Sequence, residues 1–198
     1  TGGLLGYATF PPTTTLSGIP GGTTGTSTTD GFWCYARTFG SQGIYPSGTY
    51  MSGYTRGRTS THEIGHWLGL RHIWGDGTCA TDYCNDTPSA QTSNAGAPGY
   101  PYKVNVCTGS GNGEMFMNFM DYTNDNAKYM FTTDQANRIQ GAMATSPYRK
   151  FLGTHNLCTV SSVPATAVFN SPAVGCTGVN MVLSNNSQGW PPPTYSWS

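Results

Sequence analysis

Residues 61–72 read THEIGHWLGLRH, and within them lies the spacing H-E-x-x-H-x-x-G-x-x-H. His62 and His66 are four apart, so on a helix both imidazoles project from one face and can reach a single ion. Glu63 follows the first histidine and leans to the side of that ion, where a carboxylate can take a proton from water; it is placed as a base and not as a ligand. Gly69 stands where the helix should stop, because glycine adopts the left-handed C′ conformation without steric cost. The turn it permits delivers His72 as a third ligand. Three neutral imidazoles with one position left for water form the donor set of a catalytic zinc, not of a closed structural one. Zinc held in this way lowers the pKa of water toward about 7. Chance is a poor explanation, since the 198 residues contain four histidines and two glutamates, and three of the former and one of the latter fall within eleven positions.

The chain is long enough for one domain with a real core and something smaller beside it. Charged residues make up 9% of it and the formal net charge is zero. So few Lys and Arg give no basic stripe to neutralise phosphates, which argues against a nucleic-acid partner. No apolar run approaches the roughly 18 residues that span a bilayer. The 27 Gly and 13 Pro, with abundant Thr, Ser and Asn, predict a loop-rich fold. Six cysteines without a C-x-x-C pair point to disulfides and hence to an oxidising, extracellular compartment. The chain opens at Thr1 without the charged and apolar regions of a signal peptide, and is expected to be a processed product.

In chain order, the apolar run 4–10 (LLGYATF) reads as a strand ended by Pro11 and Pro12, and 13–30 as a surface loop. Residues 32–39 (FWCYARTF) are aromatic and β-prone, and are expected to form a strand on which the histidine helix packs. That helix should run from Gly57 or Arg58 to Leu68, with Ile64, Trp67 and Leu68 toward the core. The long loop 75–113 carries Asp76, Asp82 and Asp86, whose hard oxygens suit calcium but equally suit turns and helix caps. Thr132 with Gln135 three residues on is a capping-box signature for a second helix over 132–144, with Ala136, Ile139 and Met143 at helical spacing. From Thr166 onward, short β-prone runs alternate with turns, like the first three strands of an immunoglobulin-like sandwich, and about 35 residues cannot complete a domain of some 80 to 100. The expected fold class is therefore α+β: a mixed sheet carrying the active-site helix and a C-terminal helix, a loop-rich lower subdomain, then a partial β-sandwich segment. The boundary is placed between residues 1–155 and 156–198.

With these residues in view, the chain resembles the metzincin metalloproteases and, within them, the pappalysins. The long zinc motif is the metzincin mark. The pappalysin resemblance rests on GRTSTHEIGHWLGLRHIWGDG, NDTP, MFMNFMDYTND and MFTTDQANRIQ, and covers roughly residues 4–151. The tail from Thr166 resembles the PKD-type module appended to bacterial members. The resemblance implies that His62, His66 and His72 bind zinc and that Glu63 is the general base and acid. It implies that Met120 is the methionine of the Met-turn, forming an apolar floor under the metal, and that the Tyr122 hydroxyl steadies the tetrahedral intermediate. Cys84 and Cys107 look like a family disulfide, whereas a cysteine common in the family is replaced here by Ala127. Relatives that cut before Arg or Lys carry an acid shortly after the Met-turn; Asn126 aligns with it, with Asp125 as the alternative. That pair is the candidate specificity pocket, with only a modest bias to basic residues expected.

The residues and the resemblance together predict a secreted zinc endopeptidase with one catalytic zinc, a structural calcium as a further candidate, protein or peptide substrates, and neither nucleic acid nor a membrane span. One alternative is an adhesion or binding protein that uses the C-terminal β module with the protease domain as scaffold, against which an intact Glu63 speaks. The other is a zinc hydrolase acting on something other than peptides.

Overall fold

The computed structural model describes residues 3–152 and two short strands in the tail. The chain divides into two compact units, Thr1–Gly153 and Thr154–Ser198. In the first, β1 (Gly6–Ala8) pairs antiparallel with β2 (Phe32–Cys34), Tyr7 opposite Trp33. Both strands contact α1 (Arg58–Trp67), and α2 (Thr133–Thr145) follows. In the second unit β3 (Phe169–Asn170) pairs antiparallel with β4 (Ser184–Asn185). The PKD-like reading of the tail lies otherwise outside the described residues. No helix among those described is long and apolar enough to cross a membrane.

In the first unit the expected mixed sheet is, among the described residues, the two-stranded antiparallel β1–β2 pair, with isolated parallel bridges joining Phe10 to Thr24 and Asn118 to Met130. The strand foreseen over 32–39 ends at Cys34, because the Thr38 N–H and hydroxyl both donate to the Tyr35 carbonyl and wind Ala36–Thr38 into a 3₁₀ turn.

α1 owes its two ends to different devices. At the N-terminus, Gly57 offers no capping side chain, and Asp125 supplies one from 69 positions away: its Oδ2 accepts from the Arg56 N–H at 2.7 Å and the Arg58 N–H at 3.3 Å. At the C-terminus, Gly69 has φ +92°, its N–H donates to the His66 carbonyl, and the Leu70 N–H donates to that of Gly65. These two bonds are a Schellman motif, as the glycine predicts. The buried face of α1 is the one bearing His62, Glu63, Gly65 and His66, while Ile64, Trp67 and Leu68 are only half-buried.

α2 carries the predicted capping box, with Thr132 Oγ1 accepting from the Gln135 N–H and Gln135 Oε1 from the Thr132 N–H. Its buried stripe differs from the apolar one expected: Ala136 is exposed, and Gln135, Arg138 and Ala142 face inward. Polar side chains can sit there because each is satisfied. Gln135 exchanges two hydrogen bonds with the Asn118 amide, and Arg138 donates to the carbonyls of Gly69 and Ser17. The core is Leu70, Ile73, Trp74, Ala90 and Met120, flanked by Phe131 and Ile139. It lies where the chain leaving α1 crosses the 118–120 turn and α2.

Candidate metal centre

The Nε2 atoms of His62 and His72 each lie 3.1 Å from that of His66, and among the described residues this triad is the one cluster arranged to hold a metal ion. The ring orientations are fixed from behind. His62 Nδ1 is 2.7 Å from the Phe119 carbonyl, His66 Nδ1 is 2.8 Å from the Leu70 carbonyl, and His72 Nδ1 meets Asp76 Oδ1. All three partners are acceptors, so each Nδ1 carries the proton and each Nε2 turns a lone pair to the common point. Burial, and then the other cationic groups nearby, hold His62 well below the ordinary histidine range. Burial and His72 hold His66 at about 3. Three imidazole nitrogens at this spacing are the donor set that zinc takes, so the residues present fit it.

Trp74 stacks on His72, with centroids 4.2 Å apart and planes 5° from parallel, and so buttresses the third histidine of the triad, which no helix supports. Met120 is fully buried against α1, where a Cβ on Gly65 would meet its sulfur at 2.5 Å. Gly65 therefore admits the methionine between the two helix histidines. Asn118 Oδ1 accepts from the Met120 N–H at 2.9 Å, so Gln135, which holds Asn118, also helps to position Met120.

Glu63 is 5% exposed and lies against Gly6 of β1, where a Cβ would come within 2.6 Å of its Oε1. No described residue hydrogen-bonds its carboxylate. Burial pushes its pKa up to about 7, with the Lys128 charge pulling the other way. Tyr122 is 47% exposed, its ring edge-on to His72 and Trp74 at 4.8 and 4.9 Å. A cavity of about 820 Å³ opens over the triad, walled by residues 3–8, Glu63, Tyr122 and Lys128.

Several candidates from the sequence go elsewhere. Asp76, Asp82 and Asp86 are not brought together as a calcium site. Asp76 serves His72 and pairs with Arg71 at 3.0 Å; burial raises its pKa, but these two partners outweigh that and hold it at about 2. Asp82 closes a turn, accepting from the Cys84 N–H and the Thr87 hydroxyl, and Asp86 accepts from the Asp134 N–H in the first turn of α2. For Asp82 and Asp86 the turn-and-cap alternative is the one realised. Asp125 and Asn126 do not line the cavity, because the Asp125 carboxylate is used at the start of α1 and Asn126 faces solvent. The disulfide joins Cys79, not Cys84, to Cys107. Cys84 is wrapped in the Asp82–Thr87 turn as a buried thiol, its pKa raised to about 12 by burial and then by Asp82. Cys158 and Cys176 lie outside the described residues.

Asp76, Trp74 and Lys128 were not assigned these places from sequence; the one signal available was Asp76 four residues after His72. Replacing Asp76 with alanine should weaken zinc affinity about 10- to 100-fold. Competition with a chromogenic chelator measures it, and unchanged affinity would remove Asp76 from the support of His72.

The sequence profile of the peptidase family described as pregnancy-associated plasma protein-A matches residues 23–144, more than half the chain. An extracellular metalloprotease of Verticillium alfalfae is 36% identical over 146 residues, covering 73% of this chain and 46% of its own. Extracellular metalloprotease 1 of Coccidioides posadasii is 34% identical over 151 residues, covering 76% and 47%. Mature mirolysin of Tannerella forsythia, solved with a cleaved peptide, superposes with TM-score 0.61 at 38% identity, covering 76% of this chain and 52% of that one. The chain thus spans about half the length of the relatives it matches. With the family profile and these relatives converging on the residues that build the histidine triad, the chain belongs to the pregnancy-associated plasma protein-A family of peptidases.

Proposed function

We propose that this chain carries the catalytic machinery of an extracellular zinc endopeptidase. The observation that carries the reading is the convergence of three imidazole Nε2 atoms at the wall of a cavity that is also lined by the buried Glu63 carboxylate and edged by β1. His62, His66 and His72 would hold the zinc, which when bound supplies Lewis-acid polarisation of water and the scissile carbonyl. Glu63 takes the proton of the attacking water on its carboxylate and delivers it to the leaving amine nitrogen. The Tyr122 hydroxyl, carried on a cavity-lining ring set edge-on to Trp74, donates a hydrogen bond to the developing oxyanion. Met120 keeps the floor beneath the ligands dry. Residues 3–8 present the free edge of β1 along the cavity, so an extended peptide can add to it as a strand.

In this reading residues 1–155 form a metzincin-type catalytic domain and 156–198 a linker with part of a PKD-like β-sandwich. The names of the relatives support secretion. Incubating the chain with a denatured protein should release fragments with new amino termini, detected by mass spectrometry, and a zinc chelator should stop their release. Intact substrate after prolonged incubation with the zinc-loaded chain would overturn the assignment.

A further inference from the structure

Lys128 is 4% exposed and lines the same cavity as Glu63 and the histidine triad. Its ammonium has three protons to give. One goes to the Asp121 carbonyl at 3.3 Å, and no carboxylate among the described residues forms an ion pair with it. Of the three acids whose charges reach it, Glu63 makes no hydrogen bond among the described residues, while Asp121 and Asp125 accept from other groups. Asp121 accepts from the Asn94 N–H, the Asn94 amide and the Tyr122 N–H, and Asp125 from two N–H groups at the start of α1. The other cation of the cavity wall, Arg71, is paired with Asp76. Burial pulls the pKa of Lys128 down, against the charges of Asp125, Asp121 and Glu63, and its one hydrogen bond, to a carbonyl, leaves two ammonium protons without a partner among the described residues. A buried ammonium is costly unless something neutralises it, and beside apolar walls such as Leu5, Ala8 and Phe10 an incoming anion is attracted more strongly than in water.

We propose that Lys128 is a specificity-determining residue that makes this cavity select peptides with an acidic side chain, Asp or Glu, next to the scissile bond. The inference rests on the peptidase reading and deepens it: Lys128 is the cation of the cavity wall that has no ion-pair partner among the described residues, and Asp121 and Asp125, the two acids that precede it in sequence, do not line the cavity. A carboxylate in the cavity takes the two remaining protons of Lys128 as charge-assisted hydrogen bonds, and an amide of the same shape receives no ionic attraction.

The test uses C-terminally amidated peptide twins that differ only as Glu or Gln at one position flanking the cleaved bond. With the zinc-loaded 198-residue chain, kcat/KM for the Glu twin should exceed that for the Gln twin by about tenfold or more at one position. Lys128→Met should bring the ratio to about one, Lys128→Arg should keep it, and Lys128→Glu should turn the preference to a Lys twin. Thermal melts confirm that each variant is folded. If Lys128 acted only through the charge of Glu63, both twins would slow alike and the ratio would stay, which overturns the proposal. A wild-type ratio near one overturns it too. Affinities of the same twins for the Glu63→Ala chain, read by calorimetry, separate the two readings. Should the wild type cleave nothing, the peptidase reading falls; tighter binding of the Glu twin that Lys128→Met abolishes would still support the acidic selectivity, and equal binding would end it.

Discussion

Replacing Glu63 with alanine should leave one zinc bound per chain and lower kcat/KM about 10²- to 10⁴-fold. The two effects separate because the ligands and the base are different residues. Each histidine is oriented by its own acceptor, the carbonyls of Phe119 and Leu70 and the carboxylate of Asp76, and none depends on Glu63. The Glu63 carboxylate has no hydrogen-bond partner among the described residues, so its removal breaks no structural network. In the proposed mechanism its loss deletes the group that would accept the proton of the attacking water. Glu63→Gln keeps the shape against Gly6 and should be nearly as inactive, which distinguishes lost proton transfer from a lost packing contact. Loss of zinc from either variant would show that Glu63 holds the metal site together, and its role as base would have to be abandoned.

Replacing Arg149 with alanine should destabilise the fold by about 3–5 kcal/mol, the cost of leaving one member of a buried pair without the other. The Arg149 side chain is fully buried and its Nη1 lies 2.6 Å from Asp30 Oδ1, itself 11% exposed. The same guanidinium donates to the Trp67 carbonyl at the end of α1 and lies over the Trp67 ring at 4.3 Å. Trp67 Nε1 in turn donates to the other Asp30 oxygen at 3.0 Å. Three distant segments, the end of the 13–30 loop, the end of α1 and the chain after α2, are thus closed by one cation. Without it Asp30 keeps the Trp67 donor and a long contact from Thr9 but no countercharge. Urea unfolding measures the change; Arg149→Lys should recover part of it, keeping the charge and losing the fork. A cost below about 1 kcal/mol would place this pair with exposed ion pairs.

The parts of this site legible in the sequence are those fixed by local geometry. A helix puts His62 and His66 on one face whatever surrounds it, a left-handed Gly69 ends it, and Thr132 with Gln135 caps α2, all within a few residues of chain. What was not legible depends on partners far along the chain. Asp125 caps a helix 67 positions away, and the Arg149–Asp30 pair spans 119. Aspartate is ambiguous for the same reason: Asp76, Asp82 and Asp86 offer identical oxygens, and only the fold decides that one orients a histidine, one closes a turn and one caps α2. A hydrophobic pattern likewise hides Gln135 and Arg138, which are buried because carbonyl and amide partners await them. The cysteine pairing expected from the family resemblance failed at Cys84, where a local turn encloses the thiol.

The central claim is that the histidine triad holds a catalytic zinc, and metal analysis coupled to a peptide-cleavage assay tests it most directly. One equivalent of zinc per chain is predicted, absent from His66→Ala, and titrating the zinc out with chelator should remove cleavage in proportion, with zinc restoring it. A chain that contains no zinc yet still cleaves peptides would contradict the account.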